Sequence, residues 1–313
     1  MKKLIATLLL LTMALLAFAA CSPTKERQKI NVGVMSGPTG MGMAKLMCDN
    51  AEDSELYSFE VYSSPTDATA DLANGTLDML CLPTNTAAAL ANKQSDYISV
   101  ISINTLGSLY LLTDESTTIS SVADLDGKTI VASVASSTTG PIIEYLLEQN
   151  GVSATVEFES DHDALVAKVK DGAYPIVVLP EPKVTAALTQ NTTYSIDLNL
   201  STEWSKVSDT PLTMGCIVVR NDFLAENKAS VDAFLADYKT SIEYIGAGEN
   251  LDSAAQMIVD AGVLPKLPVA KKALANLYGS IVYIDGADIK AALEGFYDAI
   301  GLKKPADSFY YAK

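Results

Sequence analysis

Residues 30–47 read INVGVMSGPTGMGMAKLM, from Ile30 to Met47. Apolar residues alternate at Ile30, Val32 and Val34, the period of a strand with one buried face. The pattern breaks at Ser36-Gly37-Pro38-Thr39-Gly40 and resumes as helix-forming residues from Met41 to Met47. The stretch therefore reads as strand, tight turn, helix. A helix that starts directly at a strand end aims its unpaired N–H groups and positive dipole end at whatever sits above that sheet edge. Glycines let a ligand approach the backbone. Two nucleotide-binding versions of this turn fail on single residues. A P-loop from Gly37 to Gly42 needs Lys where Met43 stands, and a dinucleotide fingerprint from Gly40 and Gly42 needs Gly where Lys45 stands. Two uses remain for Ser36 to Gly42: a plain βα turn, or a ligand cradle of backbone N–H groups and the hydroxyls of Ser36 and Thr39.

The same logic recurs downstream. Phe59–Tyr62 reads as a strand, Ala68–Ala73 as a helix ended by Asn74-Gly75, Leu77–Leu82 as a buried strand, and Ala87–Asn92 as a helix capped from Thr84-Asn85-Thr86. This β-α-β-α-β-α order implies parallel strands with helices on both faces. Ile98–Ile103 and Leu109–Thr113 read as strands joined by small polar residues that could carry the chain between lobes. Then follow a strand at Thr129–Val134, the hydroxyl-rich turn Ala135-Ser136-Ser137-Thr138-Thr139-Gly140, and a helix at Ile142–Asn150. Further strands are expected at Thr155–Phe158 and Ile176–Leu179, with helices at Asp161–Lys170 and Lys183–Gln190. Residues 201–210, with the only Trp, read as irregular. Gly215–Arg220 reads as a strand; beyond it the chain reads as helical, over Phe223–Glu226, Ala229–Ile245, Leu251–Ala261, Val269–Leu277 and Asp288–Ile300. If Gly215–Arg220 returns to the first sheet, the chain crosses twice between two lobes and leaves a cleft with a two-strand hinge.

At 313 residues the chain exceeds the ~100–200 residues of one core. Lys2 and Lys3 precede an apolar run from Leu4 to Phe18, which is a targeting segment and not part of the fold. Phe18-Ala19-Ala20-Cys21 resembles a bacterial lipobox, with Phe18 where that pattern usually has Leu. Residues 1–20 are thus expected to be a lipoprotein signal peptide, Cys21 the lipidated first mature residue, and 21–29 a tether. The formal net charge of −16 repels nucleic acid and anionic lipid, which leaves the anchor as the only expected membrane contact. Cys48, Cys81 and Cys216 are an odd set with apolar neighbours and read as free thiols without zinc-site spacing, a Cys81–Cys216 bridge being the alternative.

Four stretches together carry a family resemblance: the glycine-rich first turn; Asn74-Gly75-Thr76-Leu77-Asp78 with Pro83-Thr84-Asn85-Thr86; Val122-Ala123-Asp124-Leu125-Asp126-Gly127-Lys128-Thr129-Ile130; and Val218-Val219-Arg220-Asn221-Asp222-Phe223-Leu224. From Ile30 onward the chain resembles substrate-binding lipoproteins of ABC importers, in the nitrate/sulfonate/taurine group. The resemblance implies an α/β, two-lobed type 2 periplasmic-binding-protein fold, with two doubly wound sheets joined by a two-strand hinge. Lobe 1 would be residues 30–107 and 213–313, and lobe 2 residues 108–212. It implies an extracytoplasmic monomer that delivers a small solute to an ABC permease and its ATPase subunits, with no cofactor and no metal. Two alternatives stay open: a receptor that presents its ligand to a membrane sensor, and an enzyme on the same fold.

The expected ligand contacts are Ser36, Gly37, Thr39, Gly40 and Met41 on one lobe, with Thr84 and Asn85, which serve equally well as helix caps. Ser136, Ser137, Thr138 and Thr139 are the matching set on the other lobe, some of them caps as well. Glu181, between two prolines after a buried strand, is either a first-turn helix acid or a cleft carboxylate that would favour an amine. Only Arg27 and Arg220 could supply a guanidinium, so the expected guest shifts from a small strong anion toward a polar organic molecule held by backbone and hydroxyls. Tyr110, Tyr174 and Trp204 are candidate ring platforms, with core packing as the simpler role. His162, the only histidine, lies in the polar run Ser160-Asp161-His162-Asp163 and reads as solvent-facing. No nucleophile elbow, metal cluster or Cys/His pair is visible, so no catalytic residue is assigned.

Overall fold

A computed structural model describes residues 27–50, 54–134 and 137–311. The expected signal peptide, Cys21 and Ser136 lie outside the described residues.

In chain order, β1 (Ile30–Met35) leads through Ser36-Gly37 into a four-residue helix α1 (Pro38–Met41), a turn, and α2 (Ala44–Asp49). Next come β2 (Tyr57–Tyr62), α3 (Pro65–Asn74), β3 (Met79–Pro83), α4 (Thr84–Lys93) and β4 (Ile98–Leu106). The chain then runs through β5 (Leu109–Asp114), β6 (Thr129–Ser133), α5 (Thr139–Gln149), β7 (Thr155–Glu159), α6 (His162–Lys170), β8 (Ile176–Pro180), α7 (Lys183–Gln190), β9 (Tyr194–Asn199) and α8 (Leu200–Trp204). It finishes with β10 (Thr213–Arg220), α9 (Asn221–Gly246), α10 (Leu251–Asp260), α11 (Leu267–Asn276), β11 (Ile281–Ile284) and α12 (Asp288–Ala299).

The strands form two sheets. The first has the order β11-β4-β10-β3-β1-β2 and the second β7-β6-β8-β5-β9. As expected, β1 lies parallel to β2 and β3. The return strand β10 inserts antiparallel between β3 and β4 and makes the first sheet mixed. In the second sheet β6 is parallel to β7 and β8, while β5 is antiparallel to β8 and β9.

Several elements correct the sequence reading. The first helix starts at Pro38, whose fixed φ suits the first helical position, and not at Met41. Strands β9 and β11 were not expected; both lie at sheet edges, where a strand has one partner and needs fewer apolar residues. Residues 200–204 are helical, with Asn199 accepting from the N–H groups of Ser201 and Thr202. The two helices expected after Arg220 are one, kinked at Asn227 (φ −127°, ψ 31°).

The core alternates across the first sheet. Cys81 and Ile217 face one apolar cluster with Met41, Met43 and Phe234, while Leu82 and Cys216 face the other with Leu80, Val218 and Phe296. Cys81 and Cys216 therefore point to opposite faces and cannot bridge; both are buried free thiols, and Cys48 is a half-buried one. Met41 and Met43 are fully buried, each worth about 1.5–3 kcal/mol. This burial explains why the chain after the turn packs inward.

Candidate functional site

The register places one end of each sheet at a common seam. Strands β1, β3 and β4 end, and β10 begins, at one edge, with Gly215 opposite Pro83 and Thr213 opposite Leu106. In the second sheet β6 and β8 end at one edge, where β5 begins and β9 ends: Leu109 pairs with Pro180, and Tyr110 with Asn199. The chain leaves the first edge through Gly107-Ser108 and returns through residues 205–212. These crossings touch, since the Gly107 N–H donates to Leu212 O at 2.8 Å; the Glu181 N–H donates to Ser108 O at 2.9 Å, extending the β5–β8 pairing into the first crossing. A Cβ on Gly107 would lie 1.4 Å from Ser201 Oγ, so only glycine fits here. Open α/β sheets bind ligands beyond the carboxyl ends of their strands. Here both carboxyl edges meet across one seam.

At the first edge Ser36 is exposed and Thr39 half-buried. Gly37 holds φ at 94°, and a Cβ there would sit 3.8 Å from Pro182 Cδ, just after β8, so the two edges come close at this point. The turn is anchored from below by residues the sequence did not flag. Asn104 Nδ2 donates to Thr39 O at 3.1 Å and Thr105 Oγ1 to Pro38 O at 3.3 Å, both from buried positions on β4. Gly215 gives the turn room: a Cβ there would lie 2.9 Å from the Thr39 side chain. Two expected contacts are structural instead. Met41 is fully buried in the core, so its side chain is not at the seam. Gly40 is buried, and its N–H donates to Gly37 O at 3.1 Å inside the turn.

After β3, Thr84 is also buried, and its hydroxyl donates to Thr213 O at 3.0 Å, fastening α4 to β10. Its neighbour Asn85 is half-buried, and no described residue hydrogen-bonds its side chain. At the second edge Ser137 and Thr138 are half-buried and Thr139 buried. Ser137 Oγ accepts from the Thr139 N–H at 3.3 Å, a local cap.

His162 is not solvent-facing. It is half-buried, with Nδ1 2.5 Å from the hydroxyl of fully buried Ser133 at the end of β6. Burial, and then the Lys183 cation, hold its imidazole below the ordinary histidine range, so it is neutral near pH 7. Directly after Ser133, Val134 sits at φ 59°, an unusual conformation for a β-branched residue. The Ser133–His162 pair thus fixes the end of β6, and the Ser137 N–H donates to Val134 O at 2.9 Å.

Glu181 is buried, 2% exposed. Its carboxylate accepts from the Thr185 N–H at 3.2 Å, from Thr185 Oγ1 at 3.0 Å and from Asn276 Nδ2 at 2.5 Å. Burial pushes its pKa up against the opposing pull of these donors. It therefore does serve the first turn of α7, and its remaining valence goes to a residue of α11. The ring candidates go to packing: Tyr110 donates to Asn276 O, Tyr174 to Glu159 and Trp204 Nε1 to Thr210 O. Arg220 lies at the far end of β10 and holds Asp222 at 2.9 and 3.0 Å, and Arg27 pairs with Asp237. Lys183 pairs with Asp163 at 2.5 Å. Among the described residues no group of three or more His, Cys, Asp or Glu is placed to hold a metal ion.

Two sheets joined by two crossings, with hydroxyl-bearing turns and helix starts at the shared seam, define a two-lobed solute receptor of the type 2 periplasmic-binding class. The family model for the periplasmic substrate-binding protein of the phosphonate ABC transporter matches residues 56–260, and the chain belongs to this family of ABC importer substrate-binding proteins. Its members are extracytoplasmic transport proteins and not enzymes. Among solved structures, an ABC transporter protein of Parabacteroides distasonis shares 19% identity over 91% of this chain and 99% of its own, with a TM-score of 0.72. The zinc-bound ligand-binding component of an ABC-type import system from Staphylococcus aureus shares 14% identity over 91% and 97%, with a TM-score of 0.70. The periplasmic aliphatic sulphonate binding protein SsuA of Escherichia coli shares 17% identity over 91% and 92%, with a TM-score of 0.69. At these identities the likeness is one of fold. No curated protein sequence matches the chain.

Proposed function

We propose that the chain captures a small organic solute with an oxyanion head between the two carboxyl edges and hands it to the permease of its importer. The observation that carries this reading is at the helix starts. Helices α1, α4 and α5 follow the central strands β1, β3 and β6, and no side chain caps their first-turn N–H groups at the N-cap position. Helices α3 and α6 follow the edge strands β2 and β7 and are closed by Ser64 and Asp161. Open donors at the seam are thus fullest at α4, since the Gly40 N–H of α1 goes to Gly37 O and the Thr139 N–H of α5 to Ser137 Oγ, and they lie beside the hydroxyls of Ser36, Thr39, Ser137 and Thr138 and the amide of Asn85. Such donors suit phosphonate or sulfonate oxygens without a guanidinium. The phosphonate description of the matching family and the sulphonate ligand of the E. coli neighbour belong to this chemistry. Glu181 is satisfied within the protein, so the ligand needs no amine. The chain acts as a monomer, binding without turnover.

Calorimetric titration with methylphosphonate, ethanesulfonate and inorganic phosphate tests the reading. At least one should bind, and Ser137→Ala, Thr39→Ala and Asn85→Ala should each weaken it by about tenfold, as loss of one hydrogen bond to a charged group does. Silence toward all three oxyanions, with binding of a neutral solute, would sink the proposal.

The reading includes an anchor: Cys21 carries lipid and holds the acidic receptor at the outer face of the membrane. Full-length protein should then sediment with membranes and Cys21→Ser remain soluble; equal partitioning of both would remove the anchor.

A further inference from the structure

The two sheets are also joined by contacts that involve no solute, and two of these converge on Asn276, the last residue of α11. Its side-chain amide donates to Glu181 Oε1 at 2.5 Å, and its backbone carbonyl accepts from the Tyr110 hydroxyl. Tyr110 lies on β5 and Glu181 follows β8, so both belong to the second sheet. Asn276 hangs from a helix whose Ala270, Ala273 and Leu274 pack in the core cluster of the first sheet with Ile217 and Val219. The second lobe therefore grips one residue of the first by both of its polar ends.

The grip is built for precision. Tyr110 is 3% exposed and Glu181 2%, so both bonds form where water competes poorly. The two bonds from Thr185 hold the carboxylate in place for the amide of Asn276. A groove of about 250 Å³, lined by Thr185, Leu188, Ile196, Lys272, Ala275 and Asn276, runs along the seam at this point. Moving the lobes apart requires both bonds to break and the carboxylate to gain water. The bonds favour the closed arrangement, and the cost of burying the carboxylate opposes it. An equilibrium balanced in this way shifts with a single contact.

We propose that Asn276 is an interlobe clasp that sets how much of the solute-free protein is closed. Solute affinity contains the free energy of closure, so the clasp raises affinity without touching the solute. The inference rests on the two-lobed fold and is independent of the solute's chemistry.

Small-angle scattering of the solute-free protein tests it. Wild type should be compact, while Asn276→Ala and Tyr110→Phe should each expand, with the closed-to-open ratio falling about tenfold per lost bond. Circular dichroism identifies any variant that fails to fold, and Tyr110→Phe, which removes one oxygen, keeps the test alive if Asn276→Ala does. Equal radii of gyration for wild type and the folded variant would overturn the clasp, whether both were compact or both expanded.

Discussion

Trp204→Ala is expected to lower the stability of the protein by about 3–5 kcal/mol, the range for truncating a large buried aromatic. Trp204 is 1% exposed and ends α8, on the return path between the sheets. Its ring lies 4.6 Å from that of Tyr145 on α5 and 5.8 Å from that of Phe296 on α12, centroid to centroid. Its Nε1 donates to Thr210 O at 2.7 Å, which shapes the crossing just before β10. Truncation would leave a cavity between helices of both lobes and take from that carbonyl the shorter of its two hydrogen bonds, leaving the one from Ser208 Oγ at 3.3 Å. Thermal unfolding should shift down by on the order of 10 °C. Trp204→Phe should recover most of the loss, because the packing dominates. A shift of only one or two degrees for the alanine variant would mean that the crossing is held by its neighbours instead.

Gly40→Ala should affect stability and solute binding together. A Cβ at Gly40 would lie 2.1 Å from the Met35 carbonyl oxygen and 2.7 Å from Val34 Cγ1. The first of these is backbone at the end of β1 and cannot swing aside, so α1 must lift off the strand. Overpacking of this kind costs about 1–3 kcal/mol or more. The lift would carry Thr39 and Ser36 with it and pull Thr39 O from Asn104. Unfolding in urea and calorimetry on the same protein separate the effects. Gly40→Ala should lose stability and bind the oxyanion at least tenfold more weakly, whereas Thr39→Ala should lose affinity alone. A Gly40→Ala variant with wild-type stability would show that α1 does not rest on β1 as described.

Nine of the eleven strands among the described residues were legible, because a buried strand announces itself by continuous apolar residues, as in Met79–Pro83 and Ile176–Pro180. The missed strand Tyr194–Asn199 carries Ser195 and Asp197 and is only partly buried, and an edge strand tolerates that. The candidate site was legible as turns and illegible as side chains. Ser36, Thr39, Asn85, Ser137 and Thr138 do lie at the seam. Met41, Gly40 and Thr84 share those turns but face inward, which a helix start does not reveal before its packing partner is known. His162 was misread because its sequence neighbours Ser160, Asp161 and Asp163 are polar, while the group that buries it, Ser133, stands 29 positions away.

Local pattern was enough to establish the alternation of strands and helices, the hydroxyl-rich turns after β1 and β6, the scarcity of guanidinium and the class of receptor. The first three follow from periodicity, turn chemistry and composition within short stretches; the class of receptor was implied by the resemblance of four stretches to a known family. Tertiary structure alone decided that β10 lies between β3 and β4, that Asn104 and Thr105 hold the first turn, and that Asn276 joins Glu181 and Tyr110. Those facts depend on residues 65 to 166 positions apart in the chain, brought together by burial of the apolar faces. The opening turn, Ser36 to Gly42, combines both: its glycines mark the bend, and the strand beneath it determines which of its groups face the seam.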